Sequence, residues 1–197
     1  SCIIASRRGD WSVYAVHLDA TMSYKVIPFL PQERIQRAVR NLGRAITEEF
    51  ADSEKIVAVG VLRGCVIFLA DLVREIKLPV EIDFVEVSSY GNSMESSREV
   101  KIHKDISGEI RGRDVILVED IIDTGHTMIF IRKLLESHNP RKLKVVTLLD
   151  KPSRREVEVN ADFTGFEVPD EWVVGYGFDY AQRNRNLPFI GRVSFDG

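Results

Sequence analysis

The chain has 197 residues, of which 44% are hydrophobic and 29% are charged, with a formal net charge of -3; this suits one compact domain with a full core, or a domain plus a small appendage. No long basic block occurs and no apolar run reaches the roughly 18–20 residues that span a bilayer, so we expect neither nucleic acid nor membrane as a partner. The two cysteines form no metal-binding or disulfide pattern, which favours a reducing, cytoplasmic setting.

Residues 1–27 show only weak patterns of secondary structure, and a clear helical period begins at Pro31. Within residues 1–27, Gly9-Asp10 is compatible with a turn between two short strands. From Pro31 the pattern predicts an amphipathic helix, and Pro31 suits its first turn, where the missing N–H costs nothing. The apolar stripe of this helix, which we expect to face the core, consists of Ile35, Val39, Leu42, Ile46 and Phe50.

The middle of the chain alternates between apolar runs rich in β-branched residues and helical patterns. Helices are predicted from Val66 to Ile76 and from about Gly125 to Ser137. The predicted strands are Ile56–Leu62, Val80–Val87, Asp114–Asp120 and Leu143–Leu149. This alternation predicts an α/β fold of right-handed βαβ units, with a central, mostly parallel sheet and helices on both faces.

The boundaries of this core follow from where the periodic patterns stop. After residue 150 the helical period disappears and only short strand-like pieces remain. We therefore expect a single domain over residues 1–197, with a core over about 31–150 and a small hood made of about 151–197 and the N-terminal segment 1–30. Inside the core, residues 88–97 are small and polar, which is typical of a mobile loop.

The most informative stretch lies at the end of the third predicted strand. That strand ends in two acids, Glu119 and Asp120, and two apolar residues follow. A second polar group then opens a helix: Asp123, Thr124, Gly125, His126 and Thr127. Open α/β sheets bind ligands at the carboxyl ends of their strands, and a helix N-terminus offers unpaired N–H groups and a positive dipole end. Taken alone, Asp123 could equally be a helix N-cap.

These residue types together predict a ribose 5-phosphate site. Gly125 allows the backbone to approach a phosphate closely, and the hydroxyls of Thr124 and Thr127 add hydrogen-bond donors. The carboxylates of Glu119 and Asp120 can accept hydrogen bonds from vicinal hydroxyls. Phosphate donors and hydroxyl acceptors therefore lie side by side in the sequence.

The segment Val115–Met128 closely resembles the 5-phosphoribosyl-1-pyrophosphate motif of the type I phosphoribosyltransferases. More narrowly, four separated segments within roughly residues 26–195 look like the hypoxanthine-guanine phosphoribosyltransferases. The resemblance implies the type I phosphoribosyltransferase fold and a Mg²⁺-dependent transfer of the 5-phosphoribosyl group to hypoxanthine or guanine. The products would be IMP or GMP and pyrophosphate, a purine salvage reaction. The resemblance also implies a homodimer or homotetramer. The other partners would be the small-molecule substrates, a 6-oxopurine and 5-phosphoribosyl-1-pyrophosphate.

The resemblance also implies roles for residues of the motif. Asp123 would be the catalytic base, close to N7 of the purine. Mg²⁺ would be held, in part indirectly, by Glu119, Asp120 and Asp179. For His126 the resemblance implies only a backbone contact with phosphate. The ribose and 5-phosphate would be bound by Glu119, Asp120, Asp123, Thr124, Gly125, His126 and Thr127.

Three further segments receive roles in the same way. Arg63 and Gly64, with Arg185, would bind pyrophosphate, and the Leu62-Arg63 peptide bond would be cis. Similar enzymes often have Lys at the position of Arg63, so the shape of the cation differs here. An ordinary strand-to-helix turn with a solvated arginine is the alternative. Ser89 and Tyr90 would begin a loop that closes over the site and excludes water.

The purine would be bound by Lys151, Trp172, Val173 and Asp179. Lys151 would reach the exocyclic oxygen at purine position 6, and because an ammonium only donates, it would favour a 6-oxopurine over adenine. Trp172 would stack on the purine, and the Val173 backbone would read the base edge. Without the resemblance, Lys151 is a solvated lysine and Trp172 a core residue.

Other functions stay open on the sequence alone. An enzyme of the same fold could use adenine, orotate, uracil or xanthine, although Lys151, Trp172 and Asp179 disfavour the first three. A non-enzymatic regulator that senses the pyrophosphate sugar is a second alternative, which the presence of all the expected acids disfavours. A Rossmann or P-loop site is weaker still, because neither glycine-rich motif occurs.

Overall fold

The structure is a computed structural model that describes residues 14–16, 24–89 and 100–195, with backbone only for 14–16 and 89. It divides into two compact units, Arg37–Asp170 and Ser1–Gln36 with Glu171–Gly197. In chain order the elements are β1 (Tyr14–Val16), β2 (Tyr24–Leu30), α1 (Gln32–Glu49), β3 (Ile56–Leu62), α2 (Val66–Glu75), β4 (Val80–Ser89), β5 (Val100–Lys104), β6 (Asp114–Ile122), α3 (His126–Ser137), β7 (Lys142–Asp150), β8 (Phe163–Glu167), β9 (Val173–Val174) and β10 (Ile190–Phe195).

The larger unit is built on a six-stranded sheet in the order β5-β4-β3-β6-β7-β8. Neighbouring strands in the series β4-β3-β6-β7-β8 pair in parallel, and β5 pairs antiparallel with β4 at the edge. The predicted mostly parallel sheet is therefore confirmed. From β3 the chain goes to β4 on one side, and later to β6 on the other. The gap between the carboxyl ends of β3 and β6 is thus the topological switch point, where such sheets bind ligands.

Helices cover both faces of this sheet, as predicted. Val57 and Val59 of β3 belong to the same buried cluster as Ile131 of α3. Because side chains alternate along a strand, Gly60 faces the opposite side, where a Cβ would lie 2.8 Å from Leu69 of α2. Helices α2 and α3 therefore pack on opposite faces, and the missing side chain at Gly60 lets α2 approach closely.

The boundary of the core differs from the prediction. Strand β8 lies within the segment expected in the hood, yet it pairs in parallel with β7 and extends the main sheet. The larger unit accordingly continues to Asp170 rather than to about residue 150. The reason is that β8 is a short edge strand of partly exposed residues, so it lacks the long apolar run of the central strands.

The predicted mobile loop does not begin at residue 88, and a strand that the sequence did not predict, β5, follows it. Ser88 and Ser89 pair with Lys101 and Val100, so Ser89 is the last residue of β4 rather than a loop residue. Three of the five residues of β5 are exposed, which leaves no apolar pattern to detect in the sequence. Tyr90, to which the closing role was also assigned, lies outside the described residues.

The smaller unit contains an antiparallel sheet in the order β1-β2-β10-β9. Its core is formed by Tyr24, Val26, Val174 and Phe189, which are buried together. The edge of Tyr24 meets the ring of Tyr180 at 5.2 Å between centroids. Within the described part of the chain, no helix is long and apolar enough to cross a membrane.

An ion pair between a buried carboxylate and a half-exposed arginine fixes the amino end of β6. The Asp114 side chain is only 5% exposed; it accepts hydrogen bonds from Ser53 and from Arg141, whose Nε lies 2.8 Å away. Arg141 also donates to Asp52 at 2.9 Å. Burial alone would raise the pKa of Asp114, but the hydrogen bonds from Arg141 and Ser53 outweigh it and hold that pKa below its ordinary value. This cluster ties three connections of the larger unit together.

Replacing Asp114 by Asn should lower the free energy of unfolding by about 2–3 kcal/mol at pH 7, because Arg141 loses a buried charged partner. A lowered folded-state pKa means that the carboxylate stabilises the fold above about pH 4 and that this contribution fades as the pH falls further. Urea denaturation at several pH values measures both effects. The control is Glu136→Gln in the exposed Arg132–Glu136 pair, expected to cost below about 0.5 kcal/mol. Equal losses for the two variants would contradict the prediction.

Candidate active site

The loop after β3 lies directly beside the end of β6. A Cβ built on Gly64 would collide with the carboxylate of Asp120, so only glycine leaves room for that side chain. The Leu62-Arg63 peptide bond is cis, which confirms the prediction. The Arg63 side chain is largely exposed and its Nε lies 3.7 Å from Glu86 of β4. These contacts place the two predicted ligand-binding connections next to each other at the switch point.

Two adjacent acids occupy the end of β6. Glu119 is buried, and this burial together with the negative charge of Asp120 raises the pKa of Glu119 well above its ordinary range. Asp120 accepts a hydrogen bond from the Ile121 N–H at 2.8 Å. Burial and the same two carboxylates raise the pKa of the Cys65 thiol on the neighbouring connection. The end of β6 therefore concentrates negative charge that a cation or hydroxyl donors would relieve.

A cleft of about 220 Å³ opens where β6 ends and α3 begins. It brings together most of the residues predicted to bind ribose and phosphate. Its lining consists of Glu119, Asp120, Ile121, Ile122, Asp123, Thr124, Gly125, Thr127 and Met128. His126 does not line the cleft; its ring lies 3.0 Å from Glu156 instead. The imidazole of His126 therefore has its partner in Glu156, on the segment after β7.

The N-cap of α3 is Gly125, with φ of 93° in the left-handed region. A Cβ there would lie 2.6 Å from Val159 and 2.9 Å from Val157, so glycine is required by conformation and by space. Asp123 is therefore not the N-cap. Its carboxylate, partly exposed, faces Arg154, whose Nε lies 3.2 Å from Oδ1. The structure thus leaves the Asp123 carboxylate at the edge of the cleft.

Sequence reasoning missed the segment that supports this loop. Arg155 donates to the carbonyl of Asp123 and to the carboxylate of Asp150, the last residue of β7. The Glu156 N–H donates to the carbonyl of Thr124 at 3.0 Å. The segment is charged and aperiodic, and its partners in the loop, Asp123 and Thr124, lie far away in the chain. The sequence carries no local signal that could have revealed these contacts.

Lys151 follows β7 and is nearly buried, with a side chain 9% exposed. Its N–H donates to the carbonyl of Ile122 at 2.9 Å, which joins the ends of β6 and β7. The Nζ atom lies 3.6 Å from Asp170. Lys151 is thus no solvated surface lysine, and its ammonium is held at the carboxyl edge of the sheet.

The smaller unit presents an aromatic side chain to solvent. Trp172 is 68% exposed, so it is not a core residue. Its ring is contacted edge-on by Tyr180, with centroids 6.3 Å apart. Val173 is buried and pairs with Arg192 of β10, which fixes the backbone beside the indole. An exposed, anchored indole is suited to stacking on a planar ligand.

Asp179 and Arg185 were predicted to have separate roles, yet they form an ion pair with 2.7 Å between Oδ1 and Nη2. Asp179 also accepts a hydrogen bond from the Gln182 N–H at 2.7 Å, and Arg185 donates to the carbonyl of Gly177 at 2.7 Å. Backbone bonds between Gly177 and Arg185 close the same loop. Both side chains are therefore held by their own loop within the smaller unit.

Comparison with known proteins gives consistent matches. A family model described as phosphoribosyl transferase domain matches residues 29–181. The hypoxanthine phosphoribosyltransferase of Escherichia coli (strain K12) is 51% identical over 173 residues, which cover 87% of this chain and 97% of that protein. The hypoxanthine-guanine phosphoribosyltransferase of Bacillus subtilis (strain 168) is 51% identical over 162 residues, 82% of this chain and 89% of that one. A crystal structure of a hypoxanthine-guanine phosphoribosyltransferase from Bacillus anthracis superposes with a TM-score of 0.81 at 47% identity, covering 85% of this chain and 98% of its own.

The glycine at the start of α3 can be tested by substitution. Gly125→Ala should lower the free energy of unfolding by about 2–4 kcal/mol, since it combines a left-handed backbone with overpacking against Val157 and Val159. Gly112→Ala is the matched control: its φ is also positive, 68°, but a Cβ there meets nothing within 4 Å, so about 1–2 kcal/mol is expected. Urea denaturation measures both. A smaller loss for Gly125→Ala than for Gly112→Ala would show that the loop is not tightly packed.

Proposed function

From the premise that the chain belongs to the phosphoribosyl transferase domain family, we propose that it transfers the 5-phosphoribosyl group of 5-phosphoribosyl-1-pyrophosphate to hypoxanthine or guanine. The products are IMP or GMP and pyrophosphate, and the reaction depends on Mg²⁺. The observation that carries the proposal is the cleft at the end of β6, where two acids and a helix N-terminus line one small space. The names of the relatives from Escherichia coli and Bacillus subtilis support the same choice of base.

The phosphate and ribose groups fit the two ends of this cleft. The first turn of α3 supplies N–H groups and a positive dipole end for the 5-phosphate, and Thr124 and Thr127 add hydroxyl donors. Glu119 and Asp120 accept hydrogen bonds from the ribose hydroxyls. Pyrophosphate binds at Gly64 and Arg63 on the neighbouring connection, with Arg185 as a further cation.

The acids at the end of β6 also fit a magnesium ion. Mg²⁺ prefers hard oxygen ligands and commonly uses one or two carboxylates together with substrate oxygens and water. Among the described residues no group of three or more acidic, histidine or cysteine side chains could hold a metal alone. Glu119 and Asp120, and Asp179 in part through water, are proposed to hold the ion with the substrate. When bound, Mg²⁺ neutralises the charge that develops on the pyrophosphate leaving group.

Asp123 is proposed as the catalytic base. The purine nitrogen displaces pyrophosphate from C1 of the ribose through a transition state with oxocarbenium character, as in other glycosidic displacements. Arg154 binds one oxygen of the Asp123 carboxylate, Oδ1, so the second oxygen is available to take or hold the N7 proton. Asp123 would thereby orient the purine as well as remove its proton.

Base selection is assigned to Lys151, Trp172 and Val173. The buried ammonium of Lys151 donates to the 6-oxo group, whereas the 6-amino group of adenine would meet it donor to donor. Trp172 stacks on the purine and the Val173 backbone contacts its edge. This assignment favours hypoxanthine and guanine over adenine. It does not distinguish them from xanthine, which has the same 6-oxo group. We further propose that the chain acts in the cytoplasm as a homodimer or homotetramer.

A spectrophotometric assay with four bases tests the reaction. With 5-phosphoribosyl-1-pyrophosphate and Mg²⁺, hypoxanthine and guanine should be converted and adenine should react at least roughly 100-fold more slowly, because an unmatched buried donor costs that much discrimination. Xanthine in parallel ranks the third oxopurine. Chelation of Mg²⁺ by EDTA should abolish turnover. Binding of the pyrophosphate sugar without turnover of any base would instead favour the regulator function.

The role of Asp123 is tested by Asp123→Asn. We expect kcat to fall roughly 100-fold or more, since positioned proton transfer typically contributes that much, while KM for both substrates changes less than about three-fold. Steady-state kinetics with hypoxanthine measure the two effects separately. Asp71→Asn, which removes a partly exposed carboxylate paired with Arg74 on α2, is the control and should leave kcat unchanged. Equal losses in kcat and in substrate binding would rule out the base role.

A further inference from the structure

The connection after β7 contacts the phosphate loop at consecutive peptide groups. Arg155 donates from Nη1 to the carbonyl of Asp123, and Glu156 donates from its N–H to the carbonyl of Thr124 at 3.0 Å. The Arg155 side chain also packs under the loop, with its Cδ 3.1 Å from where a Cβ of Gly125 would be. Two successive carbonyls of the loop are therefore held by two successive residues of one segment.

The direction of these carbonyls sets the direction of the neighbouring N–H groups. Both peptides are trans, because the cis bond found in the described residues is Leu62-Arg63. In a planar trans peptide the C=O and N–H point in opposite directions. Holding the carbonyls of Asp123 and Thr124 on one side therefore turns the N–H groups of Thr124 and Gly125 to the other. Both of these residues line the cleft.

Arg155 is itself firmly fixed. Its side chain and that of Asp150 are each only 14% exposed, and Nη2 donates to the Asp150 carboxylate. Asp150 is in register with Ile122 across the β6–β7 ladder, so the guanidinium spans from the end of β7 to the loop. A two-armed guanidinium suits this bridge, since its donors lie in one rigid plane.

We propose that Arg155 is a positioning residue for phosphate binding: together with the Glu156 N–H, it aims the N–H groups of Thr124 and Gly125 into the cleft that takes the 5-phosphate. The inference rests on the proposed function, because it assumes that this cleft binds that group. Arg155 contacts no substrate itself. It acts through the peptide groups of the loop, so its loss should weaken phosphate binding far more than purine binding.

The experiment measures binding of ribose 5-phosphate by isothermal titration calorimetry to the wild-type chain and to Arg155→Met. We expect the Kd to rise roughly ten-fold or more, since two N–H donors lose their orientation. In steady-state kinetics, KM for 5-phosphoribosyl-1-pyrophosphate should rise by a similar factor while KM for hypoxanthine stays within about two-fold. A general loss of structure would not separate the two substrates in this way.

Arg141→Met is the matched control, because Arg141 also binds a buried aspartate of the sheet, Asp114, but at the opposite end of β6. It should destabilise the chain and leave the Kd for ribose 5-phosphate within about two-fold of wild type. If Arg155→Met does not fold, Asp150→Asn removes the anchor of the guanidinium and should weaken binding in the same direction by roughly three-fold.

The outcomes separate this inference from the function on which it rests. Unchanged affinity in both Arg155→Met and Asp150→Asn would overturn the positioning role, as would an equal loss in Arg141→Met. Failure of the wild-type chain to bind ribose 5-phosphate would contradict the phosphate site itself, and the positioning role with it.

Discussion

The parallel pairing of β3 with β6 is the constraint on which the site depends. It sets two carboxyl ends side by side, and because β4 lies on the other side of β3, the connections after β3 and β6 diverge and leave a space between them. The close approach at Gly64 is a consequence of this pairing, since the carboxylate of Asp120 lies where any other residue would place a side chain. The pairing of the two strands thus determines where the connections that form the site lie.

Parts of this arrangement could be predicted from the sequence because they have local signals. The central strands are continuous apolar runs. The two acids at the end of β6 and the glycine after it follow the spacing of the motif that this segment resembles. The cis Leu62-Arg63 bond was predicted from the same family resemblance. Strand β5 was missed, and β8 was predicted as a short strand-like piece but assigned to the hood, because edge strands bury too little to need an apolar run. The contacts of Arg155 with the phosphate loop and the Asp179–Arg185 ion pair were missed for another reason. Each depends on the path of the backbone in an irregular segment, and the residue types in those segments do not indicate that path.

Charged residues at the two ends of β6 have different surroundings. Asp114 and Arg141 satisfy one another at the amino end of the sheet, and their charges are balanced within the fold. At the carboxyl end, Glu119 is buried, and this burial together with the negative charge of Asp120 raises the pKa of Glu119. The same sheet therefore pairs an acid with a cation at one end and places two acids side by side at the other, where the proposed cation and ribose hydroxyls bind.

The buried thiol of Cys65 has a consequence for how the protein withstands oxidation. Peroxides and alkylating reagents attack the thiolate form of cysteine, and the burial and neighbouring carboxylates that raise the pKa of Cys65 keep it protonated. Formation of the reactive thiolate at Cys65 is therefore disfavoured beside the site. A cysteine can therefore stand next to two acids of the proposed site while burial and their charges favour its protonated, less reactive form.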